Sequence, residues 1–197
     1  MTKKKSKNIK FCRREGENLE FFSEKKYLEK SRSNLTPGEN GTEKGKVSDF
    51  GLILRTKQKI KRYYCIFEKE FKKIYFIIKK NFFNNIDLIN FLERRLDNVI
   101  YRFNFSISRK ESRQLIIHGN VFVNYFKNKI PSYLLSPGDV ITINKKFLLK
   151  KYLYDYKNIL FVNWLYNKYF DGYGIFLSFS NKNLFNLNKN LILDIYK

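Results

Sequence analysis

Apolar residues return every three or four positions along most of this chain, and the rhythm shortens toward two only beyond Gly119. Between Leu52 and Lys80, Ile60, Tyr64, Phe67, Phe71, Ile74 and Ile78 fall on one face of a helix, with a break expected near Tyr63–Cys65. A second helical face is made by Leu92, Leu96, Val99, Ile100 and Phe103, leaving Arg94, Arg95 and Arg102 off it. Ser108 followed by Glu111 has the spacing of a capping box, and Gly119 suits the left-handed residue that ends a helix. Along this helix Ile107, Leu115 and Ile116 can point inward, while Arg109, Lys110 and Arg113 need not. NVFVN and VITI then read as short strands, and Pro137-Gly138-Asp139 as a tight turn. Asn124 is followed by Tyr125, so the Asn-Gly hairpin signal is missing; either Asn124 alone takes a positive φ or the turn is wider. Farther on, Phe147–Val162 predicts a helix, and Gly174–Phe179 and Leu191–Tyr196 predict strands. The class is α+β: a helical domain, and a smaller domain of two helices on a small antiparallel sheet.

Charge narrows the function. Forty Lys and Arg against 18 Asp and Glu leave +22 in 197 residues, far beyond what solubility requires. The excess is shared by the residues before and after position 88 rather than held in a tail. It points to an anionic partner, nucleic acid first. No apolar run approaches the roughly 20 residues of a membrane span, so no membrane partner is expected. The basic start, MTKKKSKNIKF, lacks the apolar core of an export signal. Cys12 and Cys65 do not make a disulfide framework and are expected to be reduced. The sequence has no alanine, yet 20 Phe and 14 Tyr. No fold demands the loss of the best helix former, so this composition reads as the mark of an AT-rich coding sequence of the organellar kind.

The segments LERRLDNVIYRF, RQLIIHG and IPSYLLSPGDVI resemble the α-L RNA-binding motif of the family of small-subunit ribosomal protein four. CRREG, PGENG, SDFGLILRTKQKIKRYY and the terminal LILDIYK fall in that family's order as well, so the resemblance spans nearly the whole chain. It implies a basic arm and loop over 1–47, a helical rRNA-binding domain over 48–87 completed by a fold-back of 165–197, and an α-L domain with its following helix over 88–164. It further implies a structural protein that binds small-subunit rRNA early in assembly of the 5′ domain, touches ribosomal protein five, and lines the mRNA entry region. With the composition, it implies an organellar ribosome, of a relic plastid ahead of a mitochondrion.

The residues implied as RNA contacts are Arg13 and Arg14 in the arm, Arg55, Lys57, Lys59, Lys61 and Arg62 in the long helix, and Arg94, Arg109, Lys110, Arg113 and Gln114 in the motif. Five cations at the start of a helix oppose its dipole, which makes sense if phosphates neutralise them. Lys44 and Lys46 match positions that face mRNA, although Glu43 departs from the pattern and a plain surface loop is an equal reading. Lys127 and Lys129 either grip backbone or are solvated. His118 is an RNA contact or a helix-end hydrogen bond. Many relatives hold the N-terminal region with a four-cysteine zinc site; here Cys12 stands with Ile9, Lys26 and Ser31, and one thiolate cannot build such a site. No metal, cofactor or catalytic group is expected. Arg95-Leu96-Asp97 echoes the catalytic tripeptide of pseudouridine synthases, RNA-modifying enzymes that also carry the motif. It lies inside the motif's own helix, where Asp97 reads as an ion-pair partner.

Overall fold

Helices form where the periodicity places them, and one more, over Asn8–Glu15, lies in the stretch expected as a basic arm. The computed structural model describes residues 8–21, 27–29, 36–38, 48–80, 85–144, 146–147, 165–168 and 172–178. They divide into two units within one helix, after Lys72. The first holds α1 (Asn8–Glu15) and α2 (Asp49–Tyr63), followed by the beginning of α3 (Glu68–Lys80). Ser48 caps α2, its hydroxyl accepting from the Gly51 N–H at 3.2 Å. The break expected near Tyr63–Cys65 is present, and Cys65 sits there at φ +54°. Ile60, Tyr64, Phe71, Ile74 and Ile78 are buried, as their spacing requires, whereas the break throws Phe67 outward to 79% exposure.

In the second unit the stretch predicted as one helix is two: α4 (Asn85–Glu93) and α5 (Leu96–Arg102). Arg95, between them, is extended and bridges Leu134. The first N–H groups of α5 find backbone carbonyls, Leu96 on Tyr133 at 2.9 Å and Asp97 on Pro131 at 3.1 Å, so the helix starts without a side-chain cap. Its apolar residues Leu96, Val99, Ile100 and Phe103 are nevertheless fully buried. Helix α6 (Arg109–Ile117) begins at the capping pattern: Ser108 Oγ accepts from Glu111 N, and the Glu111 carboxylate accepts from Ile107 N. Gly119 follows at φ +70°. Leu115 and Ile116 are buried as expected, but Ile107 is 61% exposed, because the chain before the cap turns outward.

The sheet is antiparallel, in the order β2-β1-β3-β5-β4. Its strands are β1 (Val121–Val123), β2 (Phe126–Asn128), β3 (Val140–Ile143), β4 (Leu165–Lys168) and β5 (Tyr173–Phe176). Val121 pairs with Ile143 and Val123 with Ile141, and these four form the buried face under α5 and α6 with Phe176 and Leu135. Phe103 lies against the bare backbone of β5: a Cβ on Gly174 would stand 2.6 Å from the ring edge. Strands β4 and β5 correct the expected boundaries, since residues assigned to the completion of the helical domain instead extend the α-L sheet through β3–β5 pairing. The lengthened sheet gives Phe103 a second partner surface. The predicted helix over Phe147–Val162, apart from its first residue, and the strand over Leu191–Tyr196 lie outside the described residues.

The β1–β2 turn meets neither expectation in full: Asn124 and Tyr125 both take positive φ, +50° and +69°, in a two-residue hairpin closed by Val123 pairing with Phe126. The Asn124 side chain holds it, donating to Asp139 Oδ1 and accepting from Val140 N, each at 2.9 Å. The Pro137-Gly138-Asp139 turn is present, with Gly138 at φ +95° and Asp139 N on Ser136 O at 3.0 Å. Among the described residues, no helix is long and apolar enough to cross a membrane.

Candidate nucleic-acid interface

Most of the motif's arginines are built into the frame. Glu93, almost fully buried, accepts from Arg102 through Nε at 3.2 Å and Nη2 at 3.1 Å, and from Asn98 Nδ2 at 2.6 Å. Asn98 passes the connection on, accepting from Arg109 Nε at 2.8 Å, while the Arg109 guanidinium lies 4.4 Å from the centroid of the Tyr101 ring. A second group centres on Asp97, which accepts from Arg95 Nε at 3.2 Å, Arg95 Nη2 at 3.0 Å and Arg113 Nε at 2.7 Å. Arg94 is half-buried, and its Nε donates to the Leu135 carbonyl at 2.9 Å. Arg109, whose spacing did not require an inward position, is therefore inside the frame, 4% exposed. A buried cation must be paired and hydrogen-bonded, and this pairing locks α4, α5 and α6 together.

Asp97 is the ion-pair partner expected of it, but little else in the sequence warned of this network. Arg95 and Asp97, two apart, cannot face each other on a continuous helix; they meet because Arg95 is extended. One signal was available: Glu93, Asp97, Asn98 and Arg102 crowd a short stretch whose apolar residues already fill one face, so some of them had to face a second packed surface.

Other candidates are outside. Lys110, Gln114 and His118, four residues apart, are exposed along one side of α6. His118 closes the helix with its backbone N–H, which donates to the Gln114 carbonyl at 3.0 Å, and its side chain is exposed. Lys127 and Lys129 are exposed at and just after β2. The Lys127 stem crosses the end of α6 where Gly119 has no side chain; a Cβ there would stand 2.1 Å from Lys127 Cε. That crossing carries the line of α6 onto the hairpin. The result is a polar, cationic ridge on a rigid base, able to give hydrogen bonds to phosphates and ribose hydroxyls.

The helical unit treats its charges differently from expectation. Because α2 ends at Tyr63, Lys61 and Arg62 fall in its last turn, where cations complement the dipole. Acids of the same unit meet them. Lys57 pairs with Glu68 at 2.6 Å, Lys59 with Glu17 at 2.6 Å, Lys61 also with Glu68, and Arg62 with Glu15. Arg62 also lies 4.6 Å over the Phe11 ring. Phosphates are thus not needed to explain why the helix tolerates these cations. Arg55 is exposed, Arg13 half-buried, and Arg14 donates to the Pro37 carbonyl at 3.0 Å. Burial pushes the Glu15 carboxyl above its usual range, against the pull of Arg62. Lys44 and Lys46 lie outside the described residues.

Zinc does not fit what is present. Cys12 is fully buried, and burial pushes its thiol up, away from the thiolate that a metal needs. Ile9 offers no donor atom, and among the described residues no three His, Cys, Asp or Glu side chains gather.

Comparison with known proteins accounts for this architecture. Residues 3–93 match the family described as Ribosomal protein S4/S9 N-terminal domain, and residues 94–141 match the S4 domain. The chain is 43% identical over 141 residues to the small ribosomal subunit protein uS4 of Thermoanaerobacter sp. (strain X514), covering 70% of this chain and 68% of that relative. It is 42% identical over 147 residues to the uS4 of Halothermothrix orenii, covering 73% and 71%. With the uS4 of Acetivibrio thermocellus the figures are 43% over 143 residues, 71% and 69%. The chain belongs to the uS4 family of small ribosomal subunit proteins.

Proposed function

We propose that this protein is a structural, non-catalytic constituent of the small ribosomal subunit, that it binds small-subunit rRNA, and that the ridge of Lys110, Gln114, His118, Lys127 and Lys129 grips the RNA backbone. The observation that supports this most directly is the division of labour in the α-L domain. Arginines fix three helices from within, and a line of exposed donors is left on the outside. A-form grooves hide base identity from side chains, so recognition rests on phosphates, 2′-hydroxyls and shape. Asp97 is occupied by two arginines, which supports its reading as a framework residue.

Family membership and composition support a finer role. The protein binds the 5′ domain of the rRNA early and neutralises converging helices, so that assembly can proceed around them. It meets ribosomal protein five, and Lys44 and Lys46 approach mRNA at its entry. The alanine-free sequence supports an organellar ribosome, of a relic plastid ahead of a mitochondrion.

The test is a salt titration of full-length protein on a 5′-domain rRNA transcript, comparing the parent with Lys110→Gln/Lys127→Gln/Lys129→Gln. For every phosphate that the variant no longer neutralises, the log–log salt slope should flatten by about 0.7–0.9. Unchanged affinity and slope would remove the ridge from the interface. Failure of the parent to bind the transcript would refute the function itself.

A further inference from the structure

The β1–β2 hairpin ends in two aromatic residues that the fold does not use. Tyr125 is 82% exposed and Phe126 80% exposed, the most exposed large apolar residues among the described residues of the second unit. Tyr125 holds φ +69°, where a side chain is strained and Gly or Asn would sit more easily. The turn is not loose: the two Asn124 side-chain bonds pin it to Asp139 and Val140, and Asn124 N donates to the Val140 carbonyl at 2.8 Å. Both rings are thus displayed from a fixed base, at a backbone cost, on the free edge of the sheet.

We propose that Tyr125 and Phe126 form a stacking platform for unpaired bases of RNA. The neighbouring charge selects this occupant over an apolar protein surface. Lys127 follows directly, Lys129 comes two residues later, and both are exposed. The nearby Asp139 carboxylate is engaged by Asn124 and by Ser136 N. Aromatic faces flanked by cations suit single-stranded nucleotides: rings take the bases and ammonium groups take the phosphates. Such a platform would read looped or bulged rRNA beside the helical surface held by the ridge, so it rests on the rRNA-binding reading above.

The test uses full-length protein carrying Tyr125→Asn/Phe126→Thr, with the 5′-domain transcript as probe. Asn relieves the strained turn and Thr suits a strand, so the denaturation midpoint should stay level or rise. Affinity should nonetheless fall about tenfold, within the range for losing base stacking, with the salt slope unchanged because no charge is removed. Ultraviolet cross-linking of the parent complex should join Tyr125 or Phe126 to a nucleotide. Affinity within twofold of the parent, while the triple lysine variant weakens, would overturn the platform and leave the rRNA-binding reading standing. Normal binding to naked transcript, with loss from reconstituted particles, would overturn it in favour of a protein partner. A parent that does not bind the transcript would overturn both.

Discussion

Asp97→Asn removes one negative charge and almost no volume, and the geometry around the carboxylate dictates what should follow. That carboxylate receives three hydrogen bonds, two from Arg95 and one from Arg113. The side chains of Asp97 and Arg95 are each 3% exposed, while that of Arg113 is 19% exposed. Breaking a fully buried pair by neutralising one member costs about 3–5 kcal/mol. Asn keeps one acceptor oxygen, which lowers that figure, and Arg113 can turn to water. The net expectation is a loss of about 3 kcal/mol in the second unit, or on the order of 10 °C in its melting temperature. Because the chain has two units, a single global transition is an unsafe readout. Amide hydrogen exchange under a urea gradient would follow α5 and α6 specifically. A double-mutant cycle with Arg95→Met should give a coupling of at least about 1.5 kcal/mol. Additive losses in that cycle, or a single variant within about 0.5 kcal/mol of the parent, as for an ordinary surface change, would refute the view that this pair holds the frame.

Two further perturbations probe the packing and the charge balance. Gly174→Ala places a methyl 2.6 Å from the fully buried Phe103 ring; a rigid ring with no room to retreat should make it cost about 1–3 kcal/mol, and a neutral result in urea unfolding would mean that the ring has slack. Glu15→Gln tests the raised carboxyl in the helical unit: a raised folded value means that the proton is held more tightly when folded, so this contribution is complete below about pH 4.3, the ordinary glutamate value, and is lost as pH climbs through the raised value. The Gln variant should therefore flatten the pH dependence of α1 and α2 protection and be at least as stable as the parent at about pH 7, and a variant that is less stable there while keeping the parent's pH profile would refute the assignment.

How far the sequence revealed the molecule depends on the kind of signal. Apolar spacing located the helical stretches of α2, α3, α5 and α6, because a buried face leaves a periodic trace whatever it packs against, whereas α1 lies in a stretch expected only as a basic arm. The Ser108–Glu111 cap and the turn at Gly138 were equally visible, being local chemistry. Two kinds of information left no such trace. One was the split between α4 and α5, where tertiary backbone partners, Pro131 and Tyr133, stop a helix that periodicity would continue. The other was the fate of strands β4 and β5, whose short segments do not say which sheet they join; their pairing to β3 is non-local. The candidate site was legible as a set of cations, but the sequence did not sort those facing outward from those facing inward.

That sorting follows residue type in the α-L domain, and the reason is geometric. Arg95, Arg102, Arg109 and Arg113 are engaged inside the frame, whereas Lys110, Lys127 and Lys129 are exposed. Guanidinium is planar, weakly hydrated and able to fork onto a carboxylate, as Arg102 does with Glu93. Ammonium is compact and strongly hydrated, so it is costly to bury and well suited to a phosphate that stays wet. Net charge alone conflates the two uses. A basic sequence thus overstates the exposed cations wherever arginine is stitching helices together, and in this domain those exposed cations are read more accurately from its lysines than from its arginines.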